Sequence, residues 1–139
     1  MDEPVTTYDF GTGPVPAHRL ENGAWIADSA VIHREATIGA DVRIGRSAVI
    51  GFGAIIGADV RIGRSAVIGF GAFVGPAVRI GRGAIIGRGA VIGVRAIIGE
   101  CADICAGASI ADSTVIADRQ HVSLDDVGAR APASKGLRL

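Results

Sequence analysis

The chain has few aromatic residues, no net charge and no long apolar run. Aromatic residues make up 4% of the 139 residues, and 14 lysines and arginines balance 14 aspartates and glutamates. A neutral chain lacks the overall attraction that draws proteins to nucleic acid, so a nucleic-acid partner is not favoured. No apolar run reaches the roughly 20 residues of a membrane span. The opening MDEPVTTYDF has no apolar signal core, so we expect a cytoplasmic location without membrane contact.

Cysteine is equally scarce. Cys101 and Cys105 are the two cysteines of the chain, and no histidine stands near them. Two isolated thiols are a poor zinc ligand set, because structural zinc sites use four such ligands. We therefore predict free thiols, no metal and no cofactor.

What the chain does have is an internal repeat. Residues 40–57 and 58–75 differ at only two positions, where Ile55 and Ile56 stand against Phe73 and Val74, and residues 76–93 follow the same template. Within each repeat a large aliphatic residue recurs at every sixth position, from Ile26 to Ile116, without a slip. A period of six does not keep one face of a helix with 3.6 residues per turn, so a helical structure is excluded.

The period of six predicts a β-solenoid. A small residue stands two positions before each large one, and residues two apart on a strand share a face, so both point inward. Glycine and aspartate in the intervening pairs suit tight corners. Three hexads close one triangular coil of eighteen residues, and coils stack about 4.8 Å apart. The fold class is an all-β parallel solenoid of about five coils.

This pattern resembles the hexapeptide-repeat superfamily. The resemblance covers about residues 24–117, and it implies a left-handed parallel β-helix and a homotrimer. Members of the superfamily include acyltransferases that use coenzyme A (CoA), γ-class carbonic anhydrases and structural subunits without catalysis. We predict an N-terminal arm or cap at residues 1–24, a β-helix at 25–117 and a flexible C-terminal tail at 118–139.

Arginines recur eighteen residues apart and should stack in two columns along one face, with neighbours about 5 Å apart. Asp41 and Asp59 lie on the preceding corner, where they can serve two of these arginines. The columns are either a solvated face or a docking surface for an anionic partner. The predicted anion-binding residues are Arg43, Arg46, Arg61, Arg64, Arg79 and Arg82.

The other two faces carry apolar residues that the register points outward. Soluble monomers rarely expose contiguous patches of this kind, so we predict a homo-oligomer. A closed trimer is the simplest arrangement, and end-to-end pairing of coils into a polymer is the open one. The predicted interface residues are Val49, Val67, Ile85, Phe52, Phe70, Ile55, Phe73 and Val91.

Catalytic residues are not evident in the regular coils. Near-identical repeats offer a uniform surface, so the sequence favours a structural or assembly subunit without catalysis of its own. The alternative is an acyltransferase that uses CoA, with His33 as general base, the role that the resemblance implies for a histidine. A γ-carbonic anhydrase is not favoured, because its three-histidine zinc set is missing.

Overall fold

The structure is a computed structural model, and it describes residues 7–9 and 14–123. These residues form strands, turns and no helix. The strands are β1 (Thr7–Asp9), β2 (Pro14–Arg19), β3 (Trp25–Ala27), β4 (Val31–Ile32), β5 (Thr37–Ile38), β6 (Arg43–Ile44), β7 (Val49–Ile50), β8 (Ile55–Ile56), β9 (Arg61–Ile62), β10 (Val67–Ile68), β11 (Phe73–Val74), β12 (Arg79–Ile80), β13 (Ile85–Ile86), β14 (Val91–Ile92), β15 (Ile97–Ile98), β16 (Asp103–Ile104), β17 (Ser109–Ile110), β18 (Val115–Ile116) and β19 (His121–Val122).

From β3 onward the strands wind into a triangular parallel solenoid. Each strand pairs in parallel with the strand three further along the chain. The first sheet has the order β1-β2-β3-β6-β9-β12-β15-β18, the second β19-β16-β13-β10-β7-β4 and the third β17-β14-β11-β8-β5. Paired residues are eighteen apart, as in Arg43 with Arg61 and Val49 with Val67. The predicted solenoid and its eighteen-residue coil are confirmed.

The core consists of the predicted small and large positions. Ala48 and Ile50 of one coil, and Ala66 and Ile68 of the next, are fully buried. No polar or charged side chain among residues 15–123 is buried. Burying one such isoleucine stabilises the fold by about 1.5–3 kcal/mol, so the column of stacked isoleucines holds the coils together.

The two ends of the solenoid differ from its middle. Ile32 and Ile38 occupy inward positions but are only half-buried, because β4 and β5 are edge strands with no coil before them. Ile26 is 4% exposed, since the antiparallel hairpin of β1 and β2 extends its sheet.

At the other end the coils continue one hexad past residue 117, to β19, which pairs with β16. The rest of the predicted tail, residues 124–139, lies outside the described residues, as do residues 1–6 and 10–13.

The corners are hydrogen-bonded from coil to coil. The second residue of a corner often has φ near +60°, as at Ser47 and Ser65. Its backbone N–H donates to the first corner residue of the preceding coil, and the Ser65 N–H reaches the Arg46 carbonyl at 2.8 Å. The Gly83 N–H donates to the Arg64 carbonyl at 2.9 Å in the same way. These bonds fix the corner residues of successive coils into straight columns.

Candidate functional site

A groove of about 650 Å³ follows the outer side of the first sheet and one of its corners. Two columns of arginines line it, one from the strands and one from the corner, and we call it the arginine groove. Its floor includes the backbone of the glycines that follow each strand, such as Gly63 and Gly81. The six predicted anion-binding residues all line it: Arg43, Arg46, Arg61, Arg64, Arg79 and Arg82.

Four of these six guanidinium groups have no carboxylate partner among residues 7–9 and 14–123. Arg82 makes an ion pair with Glu100 at 3.5 Å, and both side chains are about half exposed. Within the described residues, Arg46, Arg61, Arg64 and Arg79 make no ion pair. The groove therefore carries an excess of positive charge in a chain whose net charge is zero.

Carboxylates stand at both ends of the corner column. Asp28 precedes Arg46 by one coil, because β3 pairs with β6 in the register of Trp25 with Arg43. Beyond Arg82 the same column continues with Glu100 and then Asp118, and both line the groove. The Asp118 carboxylate accepts a hydrogen bond from the Glu100 backbone N–H at 2.9 Å, which holds it in place.

A histidine and a carboxylate meet one coil before the first arginine of the corner column. His18 lies on β2, and its Nδ1 is 3.1 Å from Oδ1 of Asp28, which forms the corner after β3. Both side chains are more than half exposed. Neither side chain lines the groove itself, although Val15 of the same strand does. A carboxylate at Nδ1 orients the ring and leaves Nε2 available as a base, the arrangement typical of general-base histidines.

The repeat pattern could not have revealed this pair. His18 lies outside the hexads, in the hairpin that the sequence indicated only as an arm. Its contact with Asp28 depends on the antiparallel pairing of β2 with β3, in which His18 stands opposite Ile26. The residues PVPAHR, which follow two glycines in the sequence, are the available signal for an edge strand.

The other two histidines have different surroundings. His33 is exposed, its backbone bonds to Ile50 and Ala36, and no described residue makes a hydrogen bond or ion pair with its ring. His121 lies 3.4 Å from Asp103 on the second sheet, at the far end from His33 and away from the groove. The structure therefore does not bring His33, the sequence-based candidate base, together with an orienting carboxylate.

The apolar residues of the second and third sheets point outward as the register predicts. Phe52 and Phe70 stack along one corner with ring centroids 6.2 Å apart. Val49 and Val67 are half-buried by their neighbours. The exposed members of the predicted interface are Phe52, Ile55, Phe70, Phe73, Ile85 and Val91.

The remaining residues with metal or thiol chemistry are dispersed. Cys101 is exposed, Cys105 is half-buried, and both are free thiols. Among the described residues, no three histidine, cysteine, aspartate or glutamate side chains are close enough to hold a metal ion. In the same part of the chain, no helix is long and apolar enough to cross a membrane.

Comparison with known proteins identifies the repeat. The family described as bacterial transferase hexapeptide (six repeats) matches residues 41–76 and 59–94. The UDP-N-acetylglucosamine acyltransferase of Francisella novicida is 31% identical, with a TM-score of 0.68 over 72% of this chain and 44% of that one. The acetyltransferase domain of PglB from Neisseria gonorrhoeae is 19% identical, with a TM-score of 0.71 over 72% and 49%. A search of curated proteins found no match.

A third similar structure is closer to this chain in length. A putative acetyltransferase from Bacillus cereus is 23% identical, with a TM-score of 0.53 over 78% of this chain and 83% of that one. The two structures named first are longer, and this chain spans about half of each. At these identities the PglB domain and the Bacillus protein support the fold alone.

The interpretation of the chain as a structural subunit without catalysis is wrong. Its family match is a transferase repeat, and the similar structure at 31% identity is an acyltransferase. The sequence indicated a structural subunit because its uniform coils contain no distinct group of reactive side chains. A distinct pair, His18 and Asp28, is formed where the N-terminal hairpin meets the first coil.

Proposed function

Because this chain is a member of the hexapeptide-repeat superfamily, we propose that it is an acyltransferase that takes its acyl group from a CoA thioester. The observation that carries the proposal is the pair of His18 and Asp28, whose aspartate lies one coil before Arg46 in the corner column. The acyltransferase of Francisella novicida, at 31% identity, supports the reaction class.

In this reaction His18 is the general base. Its Nε2 takes the proton from a hydroxyl or amine of the acceptor while the acceptor's O or N attacks the thioester carbonyl. The new C–O or C–N bond forms, the C–S bond breaks, and the thiolate of CoA leaves and takes up a proton. Asp28 holds the ring through Nδ1 and balances the charge that the ring gains.

The groove fits a donor that carries phosphates. Arginine binds phosphate through two parallel N–H donors, and four guanidinium groups in the groove are not engaged by described carboxylates. CoA supplies the activated thioester, and this chain supplies the base and the cationic surface. Under this proposal the base is His18 rather than His33, since the His18 ring has an orienting carboxylate and no described residue bonds to the His33 ring.

The proposal includes a homotrimer. Phe52, Phe70 and Phe73 are each more than two-fifths exposed, and aromatic patches of this kind favour association. Packing of the second and third sheets against neighbouring copies would leave the arginine groove on the first sheet open. The predicted cytoplasmic location stays a prediction.

The test is CoA release from acetyl-CoA with a panel of amino and hydroxyl acceptors that includes nucleotide-linked amino sugars. CoA is quantified by chromatography, because Cys101 and Cys105 would react with a thiol reagent. His18→Gln should lower kcat by about 10²–10⁴-fold, the usual contribution of a general base. His121→Gln, which disrupts the other exposed His–Asp pair, is the matched control and should keep the wild-type rate. Unchanged turnover in His18→Gln would overturn the assignment, and loss in His33→Gln alone would move the base to His33.

A further inference from the structure

We propose that the arginine groove is a binding site for a short polyanion, a di- or triphosphate group, and that the carboxylates at its ends limit the length of the ligand. The inference concerns binding, and it holds whether or not the chain transfers acyl groups. It rests on the four guanidinium groups that have no described carboxylate partner and on the order of charges along the corner column.

The close spacing of the arginines favours a bound anion. Arg46 and Arg64 are one coil apart on the corner, and Arg61 and Arg79 are one coil apart on the strands, a spacing of about 4.8 Å. Like charges at this distance repel each other even in water, and the repulsion grows in a groove partly walled by protein. None of the four has a described carboxylate partner. A phosphate chain lying between the two columns would neutralise both at once.

The ends of the groove select a short ligand. From Arg46 to Arg82 the corner column spans two coil spacings, about 10 Å. Asp28 lies one coil before this stretch, and Glu100 and Asp118 follow it. Glu100 also engages Arg82 directly. In a nucleic acid or other long polyanion aligned with the groove, the outer phosphates would lie close to these carboxylates and be repelled by them. A di- or triphosphate would fit between the carboxylates.

The surface beside the arginines suits an organic group attached to the phosphates. Along the strand column Arg79 is followed by Ile97 and then Val115, which are 42% and 66% exposed. Ile97 lines the groove itself. A ligand with a pyrophosphate and an apolar or aromatic portion would therefore contact both regions. CoA and nucleoside diphosphates share this chemistry.

The first experiment is calorimetric titration of the full chain with inorganic phosphate, pyrophosphate, tripolyphosphate and long-chain polyphosphate. Affinity should rise from phosphate to tripolyphosphate and fall with added salt. Arg61→Gln combined with Arg64→Gln should weaken pyrophosphate binding about tenfold or more, since hydrogen bonds to charged groups are the strong ones. The control, Arg88→Gln with Arg95→Gln, removes the same charge outside the groove and should leave binding within about twofold, because exposed distant charges are screened.

The second experiment tests the length limit. Glu100→Gln with Asp118→Asn removes the carboxylate charges, and the amide oxygen of the introduced asparagine can still accept the hydrogen bond from the backbone N–H of residue 100. This variant should bind long polyphosphate several-fold more tightly than the wild type, with a smaller gain for pyrophosphate, because the removed charges oppose only a long ligand. Titration with CoA and with UDP then distinguishes an acyl donor from a nucleotide-linked acceptor, and either result supports the site.

Two outcomes would overturn the inference. One is pyrophosphate binding that is absent, or equal in the wild type and the Arg61→Gln, Arg64→Gln variant. The other is tighter binding of long polyphosphate than of tripolyphosphate by the wild type, when the affinity for the polymer is expressed per bound segment. Neither outcome depends on whether CoA is released in the transfer assay, so failure of the site and failure of the proposed reaction are distinguishable.

Discussion

Gly69 and Gly71, two residues apart in one coil, should respond very differently to alanine. A Cβ at Gly69 would lie 2.6 Å from the Arg88 backbone nitrogen and 2.8 Å from its Cα, in the next coil. At Gly71 a Cβ would meet nothing within 4 Å, but φ is +63°. The first substitution therefore pushes two coils apart, and the second only strains one residue.

The magnitudes follow from these contacts. Overpacking against backbone costs about 1–3 kcal/mol, and Gly69→Ala should lie near the upper end because backbone cannot rotate away. A left-handed alanine costs about 1 kcal/mol. Both variants gain the same few tenths of a kcal/mol or more from a less flexible unfolded chain, so this term cancels in the comparison. At about 4 °C per kcal/mol, Gly69→Ala should lower the Tm by about 10 °C and Gly71→Ala by about 4 °C.

The sequence supports this order. Positions equivalent to Gly69 are glycine throughout the interior coils, from Gly39 to Gly99. Side chains occur there only towards the ends of the solenoid, at Ala27, His33, Cys105, Ala111, Ala117 and Ser123. Positions equivalent to Gly71 in other corners accept serine, as at Ser65.

The assay is thermal unfolding followed by circular dichroism, at one protein concentration because association would raise the Tm. Gly53→Ala repeats the Gly71 case one coil earlier, with φ of +70° and open space, and serves as the control. A Tm for Gly71→Ala at or below that of Gly69→Ala would refute the reasoning that backbone contact between coils, rather than corner strain, makes these glycines necessary.

Three further predictions concern the core, the apolar faces and the second histidine pair. Ile86→Ala, at a fully buried site, should lower the free energy of unfolding by about 3 kcal/mol. Ile32→Ala, at a half-buried site in the first coil, should lower it by about 1 kcal/mol. Equal urea midpoints for the two variants would contradict this description of the core. Val67→Glu with Phe70→Glu should dissociate the oligomer, because it places charge on an apolar face, and an unchanged mass in light scattering would show that this face is not the interface. His121→Gln should leave phosphate binding unchanged in calorimetry, since His121 lies outside the groove; weakened binding would extend the site to the second sheet.

The repeat made most of the fold predictable. The inward positions, the eighteen-residue coil and the arginine columns all follow from a period of six, because one register decides the direction of every side chain. The half-burial of Ile32 and the extra strand at His121–Val122 depend on what lies beside each end of the solenoid. A periodic pattern contains no information about its own ends.

The candidate site was only partly predictable. The six arginines that line the groove were identified from their spacing, because columns follow directly from the coil length. The pairing of His18 with Asp28 requires an antiparallel strand to fold back on the first coil, and no repeat specifies that contact. Asp41 and Asp59 were expected to serve two arginines, yet neither makes an ion pair with a described residue.

Chemical rescue would test whether His18 removes a proton from the acceptor during acyl transfer. The rate of CoA release from acetyl-CoA would be measured for His18→Ala with increasing imidazole. Without imidazole, we expect His18→Ala to release CoA about 10²–10⁴-fold more slowly than the wild type. Added imidazole should restore part of the rate, because it replaces the missing base. A His18→Ala variant that transfers the acyl group at the wild-type rate without imidazole would contradict this role of His18.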